Sequence, residues 1–247
     1  VSEIPHGLTL IRHPCPQSLW GTITLRLVRR TEARVPIDPV AAMAHLRAAD
    51  PVLAKVIEHV GPPMLRPPSG APFHALARAI IFQQLSGRAA DTIYGRVVAA
   101  TAAPGEPFPS PRRLLNADEA TLRAAGLSRQ KTAALRSLAE HFAGGELAAV
   151  DLESLSDEDV IALLTRVRGV GRWTAEMFLM FELQRPDVLP VNDLGLNRAI
   201  GRLYGLPGLP QPADVRAIGR PWRPWATVAC WYLWRSHDVD LPGPAQV

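Results

Sequence analysis

The chain has 247 residues, 47% of them apolar and 20% charged, an ordinary globular balance with material for one large or two small domains. Its two cysteines, Cys15 and Cys230, exclude a disulfide framework, a four-cysteine zinc site and an iron–sulfur cluster, and no run of about 20 apolar residues offers a membrane span. The net charge of +4 is carried almost wholly by arginine, since Lys55 and Lys131 are the only lysines; arginine suits bidentate phosphate contacts, and the excess favours a polyanionic partner.

Residues 1–37 form the first segment. GLTLIRH and GTITLRLVRR contain short strand-like runs, in which Thr22, Thr24 and Arg26 alternate with Ile23, Leu25 and Leu27. A small arm with two or three strands is expected there. The opening VSEIPHGLTL has neither the basic start nor the apolar run of a secretion signal, and the two cysteines point to a reducing cytoplasm.

From Asp38 to the C-terminus the pattern is helical, and the predicted fold class is mainly α. Asp38-Pro39 and Asp50-Pro51 each pair an N-cap with a proline at the first helical position. GPPMLRPPSG is a connector. Pro72 then opens a helical run that Ser86-Gly87 interrupts. Short helices are expected over 111–116 and 118–125. Ser128 caps a longer helix that stops at Gly144-Gly145, and Ser156 with Asp159 opens the next. Further helices are predicted from Arg172 to about Leu183, over roughly 193–204, from Pro212, and from Pro224 onward.

Two places carry chemistry. The first is Val167-Arg168-Gly169-Val170-Gly171-Arg172-Trp173-Thr174-Ala175, with a helix on each side. Gly-Val-Gly makes a tight hairpin, and glycine lets a ligand approach the backbone without a Cβ in the way. Main-chain N–H groups at the start of the following helix make an anion site suited to phosphate. A plain glycine C-cap before a new helix is the competing reading. The second place is Asp193, which follows the apolar loop Asp187-Val188-Leu189-Pro190-Val191-Asn192 and begins a helix. Alone it reads as an N-cap, and Asp187 as a turn residue. One helix downstream of a phosphate-binding hairpin, the carboxylate gains a functional reading.

Together GVGRWTA, LPVNDLGLNRAI, Trp222-Arg223-Pro224-Trp225 running into Ala229-Cys230-Trp231-Tyr232, and Ala79-Ile80-Ile81-Phe82-Gln83-Gln84-Leu85-Ser86 resemble the helix–hairpin–helix DNA glycosylases that carry a Gly/Pro-rich loop and a catalytic aspartate. The likeness is to the bacterial 3-methyladenine DNA glycosylase II type and spans about residues 40–240. It implies a two-lobed helical domain over 38–247 with its hairpin at 166–172, and Asp193 as the catalytic residue. It also implies Trp173 and Trp231 as pocket aromatics, with Trp222, Trp225 and Trp234 left to core packing. Gly169, Val170, Gly171 and Thr174 fall at the DNA-binding hairpin, and Gln84 with Leu85 at the plug that fills the hole left by an extruded base. The family hairpin often binds a monovalent cation, here through the main-chain carbonyls of Thr165, Val167 and Val170; no other cofactor is implied. Relatives that form a Schiff base have a lysine two residues after the second hairpin glycine, where this chain has Trp173. The implied activity is therefore monofunctional: hydrolytic release of alkylated purines such as 3-methyladenine and 7-methylguanine, in base excision repair. The implied partner is damaged double-stranded DNA, met by a monomer in the bacterial cytoplasm at the nucleoid. The alternatives are a glycosylase for oxidised or deaminated bases and a non-catalytic DNA-binding module. Long family members carry an N-terminal β-domain, whereas here only the short arm precedes the helices.

Overall fold

The structure, a computed structural model, describes residues 37–65 and 67–239. The strands expected before residue 37 lie outside the described residues. Within them the chain is helical, with no strand. None of its helices is long and apolar enough to cross a membrane.

The predicted caps operate. α1 (Pro39–Ala49) starts where Asp38 Oδ1 accepts from the Val40 and Ala41 amides at 2.9 and 3.1 Å. α2 (Pro51–Val60) starts the same way at Asp50, which also accepts the Trp222 indole N–H at 2.7 Å and the Tyr204 hydroxyl at 2.6 Å. That buried carboxylate therefore ties the first helices to the last part of the chain. α3 (Pro72–Phe82) and α4 (Gly87–Thr101) are the two halves of the interrupted run. α5 (Pro111–Asn116), α6 (Glu119–Ala124) and α7 (Arg129–Ala143) follow, then α8 (Asp157–Leu164) and α9 (Arg172–Phe181) on either side of the Gly-Val-Gly turn. α10 (Leu194–Leu203), α11 (Pro212–Gly219) and α12 (Ala226–Arg235) complete the described fold.

Packing sorts these helices into two groups. α3 to α7 pack on one another, with α9 against both α3 and α8. α1 and α2 pack on each other and with α12, which in turn holds α10; a 3-10 turn at Arg220–Trp222 joins α11 to α1. Both groups feed one apolar core, in which Leu46, Leu76, Leu135, Leu164, Ile200 and Leu233 are all fully buried. Burial of such side chains contributes about 1.5–3 kcal/mol each, which is what holds helices this short. The start of α9, the start of α10 and the end of α12 meet at the seam.

Candidate active site

The hairpin is built from inside outward. Val167 and Val170 are buried, and the Val170 amide donates to the Val167 carbonyl at 3.1 Å, closing the turn. Gly169 has φ +80°, and a Cβ there would stand 2.8 Å from Ala134 Cβ on α7. Backbone and packing both demand glycine at that position. Gly171 is different: its φ is −92°, and nothing lies within 4 Å of the place a Cβ would take. Neither backbone strain nor packing requires glycine there. Gly171 is also the N-cap of α9 and offers no side chain to cap the first amides of that helix. Arg168 and Arg172 flank the turn on the exposed side. Arg172 is held by Glu158 and by Glu176, whose Oε1 accepts from Arg172 Nε at 3.0 Å.

Asp193 is the N-cap that the sequence indicates, and its Oδ1 accepts from the Leu196 amide at 2.6 Å. Two indoles complete its surroundings. Trp234 Nε1 donates to Oδ1 at 2.9 Å and Trp173 Nε1 to Oδ2 at 2.6 Å. The carboxylate is 8% exposed, whereas Trp173 beside it is 46% exposed. Leu194 and Phe181 are also exposed, and Phe181 meets Trp234 with ring centroids 6.0 Å apart. Gly195 leaves the space that Asp193 Oδ1 and Trp234 occupy, since a Cβ there would lie 3.3 Å from that oxygen. The result is a buried carboxyl group, oriented by three N–H donors, beside an aromatic surface open to solvent.

Trp234 was expected in the core by sequence reasoning. It is half-buried, and its N–H is spent on Asp193. Trp231 sits three residues earlier on the same helix, where its ring packs edge-on against Tyr232 and lies under the Arg235 guanidinium. No local signal separates two tryptophans at that spacing; only the packing of α12 does. Glu176 was also missed: it is a buried carboxyl on α9 whose pKa burial pushes up, against the pull of Arg172. Trp222 is in the core, as expected, and Asp187 accepts from Arg223 Nε at 2.7 Å beside the start of α12.

Thr174 is buried, and its hydroxyl accepts from Gln83 Nε2 at 3.2 Å, so its side chain braces the hairpin from within. Gln84 and Leu85 stand exposed at the break between α3 and α4, and Gln84 has φ +56°. The Thr165 hydroxyl is turned back onto the Ile161 carbonyl at 2.8 Å, so at Thr165 any cation would be met by the main chain. Among the described residues no cluster of His, Cys, Asp and Glu could hold a metal ion. Burial pushes the Cys230 thiol up, which suits an inert core residue. A cavity of about 550 Å³ lined by Phe73, Phe108 and Phe142 contains none of the residues above.

Comparison with known proteins identifies the family. Residues 77–224 match the family model of the HhH-GPD superfamily base excision DNA repair protein. The alkylbase DNA glycosidase-like protein mag2 of Schizosaccharomyces pombe is 32% identical over 208 residues, covering 83% of this chain and 97% of the relative. Among solved structures, the 3-methyladenine DNA glycosylase of the same yeast, in complex with abasic DNA, aligns with a TM-score of 0.71 and 34% identity over 81% of this chain and 97% of its own. A DNA-3-methyladenine glycosidase from Bacillus halodurans aligns at 0.68 and 39% identity, covering 79% and 88%. A family match over more than half of the chain and relatives covered almost end to end lead to one conclusion: the chain belongs to the HhH-GPD superfamily of base excision DNA repair proteins.

Proposed function

We propose that the protein is a monofunctional DNA glycosylase that excises cationic alkylated purines, such as 3-methyladenine and 7-methylguanine, from double-stranded DNA. The observation that carries this reading is the Asp193 carboxylate, buried and held by Trp173, Trp234 and the Leu196 amide. A non-catalytic tether has no use for such a group. The names of the relatives above, two of them 3-methyladenine enzymes, point the same way.

Each part has a task. Main-chain amides at Gly169 and Gly171 and the start of α9 take a phosphate, a contact that sets register and is blind to sequence. Gln84 and Leu85 enter the duplex where the nucleotide leaves it. The extruded base lies against the exposed face of Trp173, with Trp234 and Trp231 the further indoles of the same region. A methylated purine carries positive charge, and each aromatic face it meets is worth about 0.5–2 kcal/mol. Departure of the base leaves oxocarbenium-like charge on the sugar. Asp193 faces that charge in a site where water cannot screen it, and its second role is to orient the attacking water. The bond to the base breaks with its electron pair leaving on the neutral purine; water supplies the new C–O bond and loses a proton.

Absence of lyase activity follows from where the amines are. Trp173 fills the family's lysine position, Lys55 is exposed on α2, and Lys131 donates to two main-chain carbonyls. We read a monovalent cation at the hairpin, held by the Thr165, Val167 and Val170 main-chain carbonyls, as the family resemblance implies. When bound it would add positive charge at the phosphate contact.

The test is release of free base from duplexes carrying 7-methylguanine, 3-methyladenine, hypoxanthine or 8-oxoguanine. Fastest release of the methylated bases is expected. Preference for 8-oxoguanine, or no release from any duplex, would overturn the assignment.

A further inference from the structure

One face of α7 touches both DNA-directed parts of the molecule. At its start, Lys131 Nζ donates to the Ile81 and Gln83 carbonyls at 2.7 and 2.6 Å. These carbonyls belong to the last turn of α3 and to its C-cap residue, immediately before the turn that presents Gln84 and Leu85. One turn further along, Ala134 abuts Gly169, and after another turn Ser137 Oγ accepts from the Arg168 amide at 3.2 Å. Positions 131, 134 and 137 share one helical face. Gln83 closes the ring: its Nε2 donates to the Gly169 carbonyl at 3.1 Å and to Thr174 Oγ1 at 3.2 Å. Plug and hairpin are thus fixed to each other directly through Gln83, and both are fixed to α7.

Lys131 is half-buried, and burial pushes its amine below the usual lysine value. Its amine donates to main-chain oxygens at a helix C-terminus, where a cation is favoured. Gln84 needs such support, because its left-handed backbone is one that a non-glycine residue adopts at a cost.

We propose that Lys131 is a positioning residue for base extrusion: by clamping the last carbonyls of α3 it presets the Gln84–Leu85 turn at a fixed distance from the phosphate-binding hairpin. This rests on the glycosylase reading above. Lys131 acts through the plug, so its removal should slow extrusion and leave bond cleavage alone.

The experiment compares Lys131→Met with wild type in single-turnover release of 7-methylguanine, once from a paired duplex and once from the same strand unpaired. A third arm follows 2-aminopurine placed opposite a stable abasic analogue, which brightens when the plug displaces it. For Lys131→Met we expect release from duplex to fall about 10- to 100-fold, the range for a misplaced positioning element, with release from the single strand changed less than about twofold. Brightening should be lost, and Lys131→Arg should restore both. Equal loss on both substrates, or no loss on duplex, would overturn the proposal. If Lys131→Met does not fold, Gln83→Met must show the same split, and its failure to do so is equally decisive. Wild-type protein that brightens 2-aminopurine but releases no base would sink the glycosylase reading. The clamp would then stand or fall on whether Lys131→Met still brightens it.

Discussion

At Asp193 one carboxylate has two jobs, and they can be separated. Asparagine is as good an N-cap as aspartate, so Asp193→Asn should keep α10 and leave the melting temperature within a few degrees of wild type. The amide cannot offset cationic charge on the sugar, and its NH₂ would face the N–H of one of the two indoles. Base release should therefore become undetectable while binding to an abasic-site duplex persists; wild-type turnover in this variant would refute the catalytic assignment. Trp234 gives a finer test. Trp234→Phe keeps most of the ring but removes the N–H donated to Oδ1. A hydrogen bond to a charged group is worth about 1.5–3 kcal/mol, so the single-turnover rate should fall about 10-fold or more. Trp231→Phe changes a ring packed on Tyr232 and Arg235 and should cost less. If the order of the two were reversed, Trp231 rather than Trp234 would be the indole that matters.

Among the elements, the hairpin and α9 make two opposed demands visible. Gly169→Ala places a Cβ against Ala134 in a left-handed backbone and should cost about 1–3 kcal/mol of stability. Gly171→Val meets open space, so it should unfold at nearly the wild-type temperature yet bind every duplex more weakly, damaged or not. Unchanged affinity in Gly171→Val would reduce the hairpin to a structural turn. Glu176 on α9 links the hairpin to the core. Burial holds its carboxyl above the ordinary glutamate value, with Arg172 opposing. The folded protein then binds this proton more tightly than the unfolded chain, so the contribution to stability falls as pH rises from about 4 through the raised value. Glu176→Gln removes that dependence. Its melting temperature relative to wild type should climb between about pH 4 and pH 7. A difference that stays flat or falls would show that Arg172 outweighs burial.

For the molecule as a whole, the decisive property is where its amines lie relative to the seam. Described lysines occur only at 55 and 131, on α2 and α7, and the position that lyases fill with lysine holds an indole committed to Asp193. The product should be an unbroken strand with an abasic site, nicked only by later alkali, and borohydride should trap no covalent adduct. Trp173→Lys should not create a lyase, because it removes a donor from Asp193 as well as a stacking face. A trapped adduct in a variant lacking both lysines would point to the terminal amine and end the monofunctional reading. Phosphate contacts at an uncapped helix start also predict affinity that falls steeply with salt.

Helix starts at Asp38, Asp50, Ser128 and Ser156, the break after Phe82 and the Gly-Val-Gly hairpin were all legible in the sequence, because caps, prolines and glycines act on their nearest neighbours in the chain. The position of Asp193 was legible for the same reason, as a cap after a proline-bearing loop. Its donors were not. Trp173 lies 20 residues before it and Trp234 41 residues after. Which of two tryptophans on α12 faces the seam depends on how that helix sits against α2 and α10, since residues three apart point less than a quarter-turn apart. Thr174 was placed at the DNA-binding hairpin, and its hydroxyl is held from within by Gln83, 91 residues away. Nothing in the sequence marks Lys131, whose amine is set on the end of α3 by packing alone. Local chemistry determined the elements and the carboxylate; only the tertiary structure decided what reaches that carboxylate, because a side chain's partners across a core are set by packing that no local pattern encodes.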